Sequence, residues 1–129
     1  MFPNGVKVYK WPYEKEPTED LVKAEMKKFG FKAYDLQTLA GWFKRSAHAH
    51  DYQEIRAAVI GCTTFYFDNL PLTVEAGDIL IIPAGLVHSV VSHNGNPFTA
   101  FKGSSTGERS VTEHDDGKGS IEYLESLKS

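Results

Sequence analysis

The sequence predicts an all-β domain, a sandwich or small barrel, with a helix near its start and a short one at its end. Three observations carry this. Short apolar or alternating runs recur at near-regular spacing from residue 31 to residue 102, strong turn residues separate them, and no helical periodicity intervenes. A chain of 129 residues suits one domain with enough core to stand without staples.

Taken in order, residues 1–16 read as an exposed lead with one extended piece at 6–11 and turn signals at Pro3-Asn4-Gly5 and Trp11-Pro12. Residues 18–29 read as a helix. Thr18 can cap it, Glu19 and Asp20 sit at the positive end of its dipole, Lys27 and Lys28 at the other, and Gly30 is a left-handed stop. Leu21, Val22, Met26 and Phe29 would form its packed face. Strands are expected at 31–34, 41–44, 47–50, 54–60, 64–67, 72–74, 79–82, 88–91 and 98–102. The chain then turns polar, with a closing helix at 120–127 capped by Ser120 that would dock Ile121, Leu124 and Leu127. The organisation is therefore a lead and helix (1–30) packed on a barrel (31–103), followed by a polar tail (104–129), all one domain.

Composition excludes several roles. Hydrophobic residues make up 41% and charged ones 24%, as in a folded rather than a disordered chain. A net charge of −3 gives no electrostatic reason to expect nucleic acid or an anionic membrane as partner. Cys62 is the single cysteine, so no internal disulfide can form. With no apolar run at the start to serve as a signal peptide and no membrane-length stretch, the expected compartment is the cytoplasm.

The chemistry concentrates between residues 46 and 93. In a strand His48 and His50 leave the same face about 7 Å apart, a gap that a metal can bridge. Glu54 shares their parity, but an unbroken strand would carry it roughly 13 Å past His50, too far to share an ion. The chain must turn at Asp51-Tyr52-Gln53, so that Glu54 opens a return strand beside the pair. His88, from far along the chain, would be the fourth ligand. His93 and His114 lie in polar loops and are not read as ligands.

His48-x-His50-x3-Glu54-x6-Gly61 and Gly77-x5-Pro83-x-Gly85-x2-His88 resemble the two motifs of the cupin superfamily, separated by the fifteen residues typical of small microbial members. Two positions depart from the pattern. The glycine expected six residues before His48 stands one earlier, as Gly41, and the asparagine usual four residues after His88 is Ser92. The resemblance implies a double-stranded β-helix, a jelly-roll barrel, holding a divalent transition metal on His48, His50, Glu54 and His88. The donor set agrees: three imidazoles and one carboxylate suit Fe, Mn, Ni, Cu or Zn better than Ca or Mg. Four protein ligands fill a tetrahedron or leave two positions open on a six-coordinate ion.

Pocket candidates follow from parity. Arg56, two residues after Glu54, should point inward, either to clamp a substrate carboxylate or enediolate or to pair with an inward acid. Val90 and Ser92 share the parity of His88 and would offer an apolar wall and a hydroxyl. Phe65 and Phe67 are expected in the core with Tyr66 towards the rim, and Cys62 in packing. The function expected is a metal-dependent enzyme of dioxygenase type acting on a small oxygen-rich or aromatic acid, the alternative a non-enzymatic small-molecule-binding or sensor cupin. The His48-to-Arg56 run with Pro83-Ala84-Gly85-x2-His88 also looks like acireductone dioxygenase, which binds iron or nickel, although this chain lacks the longer flanks of those enzymes. A homodimer is common in the superfamily, and Trp11 and Trp42 would supply its apolar patch.

Overall fold

The structure of the chain is a computed structural model that describes residues 5–92 and 95–109. The closing helix expected at 120–127, and His93 and His114, lie outside the described residues. In chain order the elements are β1 (Lys7–Tyr9), α1 (Glu19–Lys28), β2 (Lys32–Leu39), β3 (Lys44–His48), β4 (Glu54–Ile60), β5 (Cys62–Phe67), β6 (Leu70–Glu75), β7 (Ile79–Ile82), β8 (His88–Val91) and β9 (Phe98–Ser104). They form a five-stranded sheet, β1-β7-β4-β9-β2, and a four-stranded sheet, β3-β8-β5-β6. Every pairing is antiparallel, as the jelly-roll barrel requires.

The helix forms where its caps place it: the Thr18 hydroxyl accepts from the Leu21 amide, and Gly30, at φ +85°, takes the left-handed turn after it. Its buried face is Val22, Glu25 and Met26. Phe29, expected there, lies beyond the last turn and stacks on Tyr9 with ring centroids 4.0 Å apart. Glu25 is buried because the Tyr13 hydroxyl and the Lys28 ammonium satisfy its carboxylate.

The centre of the five-stranded sheet, β7, β4 and β9, is buried on both faces. Ile55, Ala57, Val59, Ile79, Ile81 and Phe101 pack towards Val22 and Met26 of α1. Ala58, Leu80, Ile82, Phe98 and Ala100 alternate with them and face the other sheet, meeting Phe65, Phe67, Val74 and Val90. This explains the unbroken apolar run of β7. Between β5 and β6, Asp68 and Asn69 both take positive φ, the two-residue hairpin turn that matches strand twist.

Two expected strands, 41–44 and 47–50, are replaced by β3 alone. Gly41 packs backbone to backbone against Gly95 and Asn96, where a Cβ would approach within 2.3 Å, and the Phe43 amide donates back to the Ala40 carbonyl, so the chain is still turning there. Trp42 is left 68% exposed at this turn. Trp11, grouped with it in sequence, is committed within the chain: it packs where a Gly77 side chain would stand and donates from Nε1 to the Lys15 carbonyl at 2.8 Å.

Asp78 ties the lead to the barrel. Its carboxylate is 2% exposed and accepts from Lys10 Nζ at 2.6 Å and from the amides of Trp11 and Glu75 at 3.3 and 2.9 Å. Asp78→Ala is expected to cost about 2–4 kcal/mol in urea unfolding, because two backbone donors lose their acceptor inside the fold. A loss below about 0.5 kcal/mol, the range of a surface substitution, would contradict this role.

Candidate metal centre

Three elements deliver the site. His48 ends β3 and pairs in register with His88, the first residue of β8, so the two imidazoles start as cross-strand neighbours of the four-stranded sheet. His50 follows the strand end; its carbonyl accepts from the Gly85 amide at 2.7 Å, which ties it to the Pro83–Leu86 turn that leads into His88. Gly85 takes φ +82° in that turn. Glu54 opens β4, which pairs with β7 and β9 and not with β3. The segment 49–53 therefore crosses from one sheet to the other, and Glu54 meets the histidines across the barrel instead of beside them on a return strand.

The side chains converge. One nitrogen from each of His48, His50 and His88 lies within 4.8 Å of the others, and Glu54 Oε1 stands 3.1 Å from His50 Nε2 and 3.3 Å from His88 Nε2. Nitrogens sharing one ion at about 2.1 Å lie roughly 3–4 Å apart, so a small side-chain adjustment suffices.

Hydrogen bonds set the tautomers. His48 Nδ1 faces the Ser46 carbonyl at 2.7 Å and His88 Nδ1 the Leu86 carbonyl at 2.9 Å. A carbonyl only accepts, so each Nδ1 carries the proton and each neutral ring keeps its lone pair on Nε2. Burial, aided by the positive charge of Arg45, pushes the His48 imidazole down to about 4, so that it is neutral at physiological pH.

The decisive contact is between His88 Nε2 and Glu54 Oε1. Both are buried and neither makes a hydrogen bond. Two lone pairs facing each other at 3.3 Å in a dry site repel, unless a proton or a metal cation lies between them. The residues present thus fit a divalent transition metal: a buried oxygen and neutral imidazoles with outward-anchored Nδ1 atoms.

Arg56 is an ion-pair partner. Its Nε donates to Glu54 Oε2 at 2.6 Å and its Nη1 to Gln37 Oε1 at 2.5 Å. Burial alone would raise the Glu54 carboxyl, but the Arg56 guanidinium holds it well below the usual carboxylate range. Burial likewise opposes the Arg56 charge, and Glu54 more than offsets it, raising that group. Of the two roles open to Arg56 in sequence, the structure shows pairing with the inward acid, and Arg56 also lines the cleft.

Ser92 needs correction. It is buried, but its hydroxyl bonds Thr63 Oγ1 at 2.6 Å and does not line the cleft beside the histidines. It keeps the buried face of His88 and Val90 just past the end of β8, where the register of β8 on β5 sets Thr63 beside it to take up its hydroxyl. Val90, Phe65 and Phe67 are buried as expected, with Tyr66 half-buried.

A narrow cleft opens on the His48 and Glu54 side of the cluster, with about 20 Å³ of space for water-sized molecules. Leu39, Phe43, Phe65, Val90, Phe98 and Ala100 form its apolar walls, and Gln37, Arg45 and Arg56 its further polar groups. Arg45 was missed by parity, because on an unbroken strand it would face away from His48. The register of β3 on β8 shifts between Arg45 and His48, and this irregularity brings both onto the cleft.

The sequence profile of the cupin domain matches residues 36–114, more than half of the chain. The chain belongs to the cupin family. No curated protein matches this cupin significantly. Among solved structures it is similar to a cupin 2 conserved barrel domain protein from Salinispora arenicola, at 19% identity and TM-score 0.50, covering 76% of this chain and 73% of that one. A DUF861 family protein from Thermotoga maritima is similar at 15% identity and TM-score 0.51, covering 76% and 97%. A cupin-2 domain protein from Shewanella frigidimarina shares 21% identity at TM-score 0.48, covering 57% and 67%. At these identities the likeness concerns the fold alone. Among the described residues of this cupin no helix is long and apolar enough to cross a membrane.

Proposed function

We propose that this cupin is a metal-dependent enzyme of dioxygenase type acting on a small oxygen-rich or aromatic acid, with His48, His50, Glu54 and His88 holding a divalent Fe, Mn, Ni, Cu or Zn ion. The observation that carries the reading is the buried, unbonded pair of His88 Nε2 and Glu54 Oε1, set beside a narrow cleft with apolar walls. When bound, the ion supplies Lewis acidity and, for a redox metal, a place for dioxygen. The chain's own residues do the rest. The Ser46 and Leu86 carbonyls orient the His48 and His88 rings, Arg56 keeps Glu54 ionised, and Phe65, Val90 and Phe98 exclude water from the approach.

The test is elemental analysis of protein purified without chelator or nickel resin, followed by oxygen uptake with diketones, enediols and catechol-like acids. His50→Ala is expected to lower metal content at least about tenfold, while shifting the metal-free thermal midpoint by less than about 5 °C. Full metal retention in that variant would contradict the ligand assignment. A metal-loaded protein that gains thermal stability with one metabolite and consumes neither it nor oxygen would favour the non-enzymatic binding role.

A further inference from the structure

We propose that the groove between α1 and β2 is the docking site of the chain's own C-terminal segment, residues 110–129, with Ile121, Leu124 and Leu127 on its apolar floor and Glu122 and Glu125 against its lysine rim.

The groove exists because α1 packs through Val22 and Met26 on the middle of the five-stranded sheet, while β2 stands at its margin and is only partly covered. Two adjoining hollows, which share Lys23 and Ala33, run between helix and strand with about 420 and 380 Å³ of space for water-sized molecules. Ala24, Phe31, Ala33 and Leu36 supply an apolar floor, and Leu36 is 39% exposed on it. Lys23 and Lys27 stand one turn apart on α1, and Lys32 joins them from β2 around the larger hollow. Among the described lining residues of that hollow, Asp20 is the single acid. Its walls therefore suit an occupant with apolar residues on one face and acids beside them.

The remainder of the chain has that chemistry and starts at the groove. Gly107 packs on Lys32, where a Cβ would stand 3.1 Å from the Lys32 Cβ, and Arg109 donates to Asp35 Oδ2 of β2 at 3.1 Å. Residues 110–129 hold five acids and two lysines, so the whole net charge of −3 resides in them. As a helix over 120–127 they would set Ile121, Leu124 and Leu127 along one face, with Glu122 and Glu125 on its flanks. Reach is ample: residues 110–120 can span up to about 36 Å, whereas Lys32 is three strand positions, about 10 Å, from Asp35. A tether this short holds the segment at an effective concentration in the millimolar range, which favours it over a separate acidic partner or the tail of a second copy.

The test introduces Tyr123→p-benzoylphenylalanine into the full chain, irradiates an equal mixture of isotopically light and heavy protein, and maps the adducts by mass spectrometry. Adducts are expected within residues 19–36 of the same chain. Lys23→Glu with Lys27→Glu is expected to lower their yield about fivefold, and Glu122→Lys with Glu125→Lys to restore it in that background. Adducts that join light to heavy chains, which would put a second copy in the groove, overturn the proposal. So do adducts mapped elsewhere, the absence of any, which would leave the groove to a separate partner, and a yield indifferent to the charge reversal. The map obtained with all four charged residues intact decides the location even if a lysine variant fails to fold.

Discussion

Arg56→Met is expected to destabilise the metal-free protein by about 3–5 kcal/mol, although methionine fills much of the same volume. Glu54 is 5% exposed, and its Oε2 depends on the guanidinium at 2.6 Å. Without Arg56 the carboxylate would face mainly imidazole lone pairs in a dry site, and it must take up a proton or open the barrel. The loss should shrink in metal-loaded protein, because the ion's charge replaces that of Arg56. Urea unfolding of chelator-treated and metal-loaded samples measures both. The pair Arg56→Met and Glu54→Gln should also couple, the double variant being more stable than the sum of single losses implies. Equal losses with and without metal would show that Arg56 acts on the barrel and not on the site.

The metal-free protein should also lose stability in acid earlier than a barrel of ordinary carboxylates. Folding lowers the His48 imidazole to about 4, against about 6.5 in the unfolded chain. Between those values the unfolded chain binds a proton that the folded one refuses. Stability is therefore complete above about 6.5 and falls as pH drops towards 4, by at most about 3 kcal/mol and by less to the extent that water reaches His48. Glu54 acts in the same sense lower down. Its folded value lies well below 4.5, so its contribution is present above that value and is lost as pH falls through and below it. Urea midpoints recorded with chelator from pH 8 to 4 should form a plateau and then a continuous descent. His48→Asn should flatten the upper part of the descent alone. A midpoint constant between pH 7 and pH 5 would contradict the buried neutral state of His48.

Both effects involve groups that were legible in the chain for different reasons. His48, His50, Glu54 and His88 stand in a joint spacing that few other constraints produce, and their convergence within a few ångströms follows that spacing. Helix α1 was legible because its signals are local: Thr18 caps its start and Gly30 ends it in sequence as in space. The aromatic alternation of β5 likewise separated Phe65 and Phe67 from Tyr66.

What escaped were directions set by remote partners. Phe29 carries a helical pattern but stands at the C-cap of α1, where it stacks on Tyr9. Trp11 and Trp42 look alike in composition, yet one is packed at Gly77 and the other stands in solvent. Ser92 keeps the buried face of His88, but Thr63 takes up its hydroxyl away from the cleft.

By itself, then, the sequence determined the family, most of the succession of strands and turns, the capped helix and the four side chains that converge, because periodicity, capping and motif spacing are properties of neighbours along the chain. Only the tertiary structure decided that Glu54 approaches from the opposite sheet, that Arg56 is spent on Glu54, and that Arg45 turns onto the cleft. Those outcomes depend on sheet pairing and on one register shift, and pairing energies are settled between segments that the linear order keeps far apart.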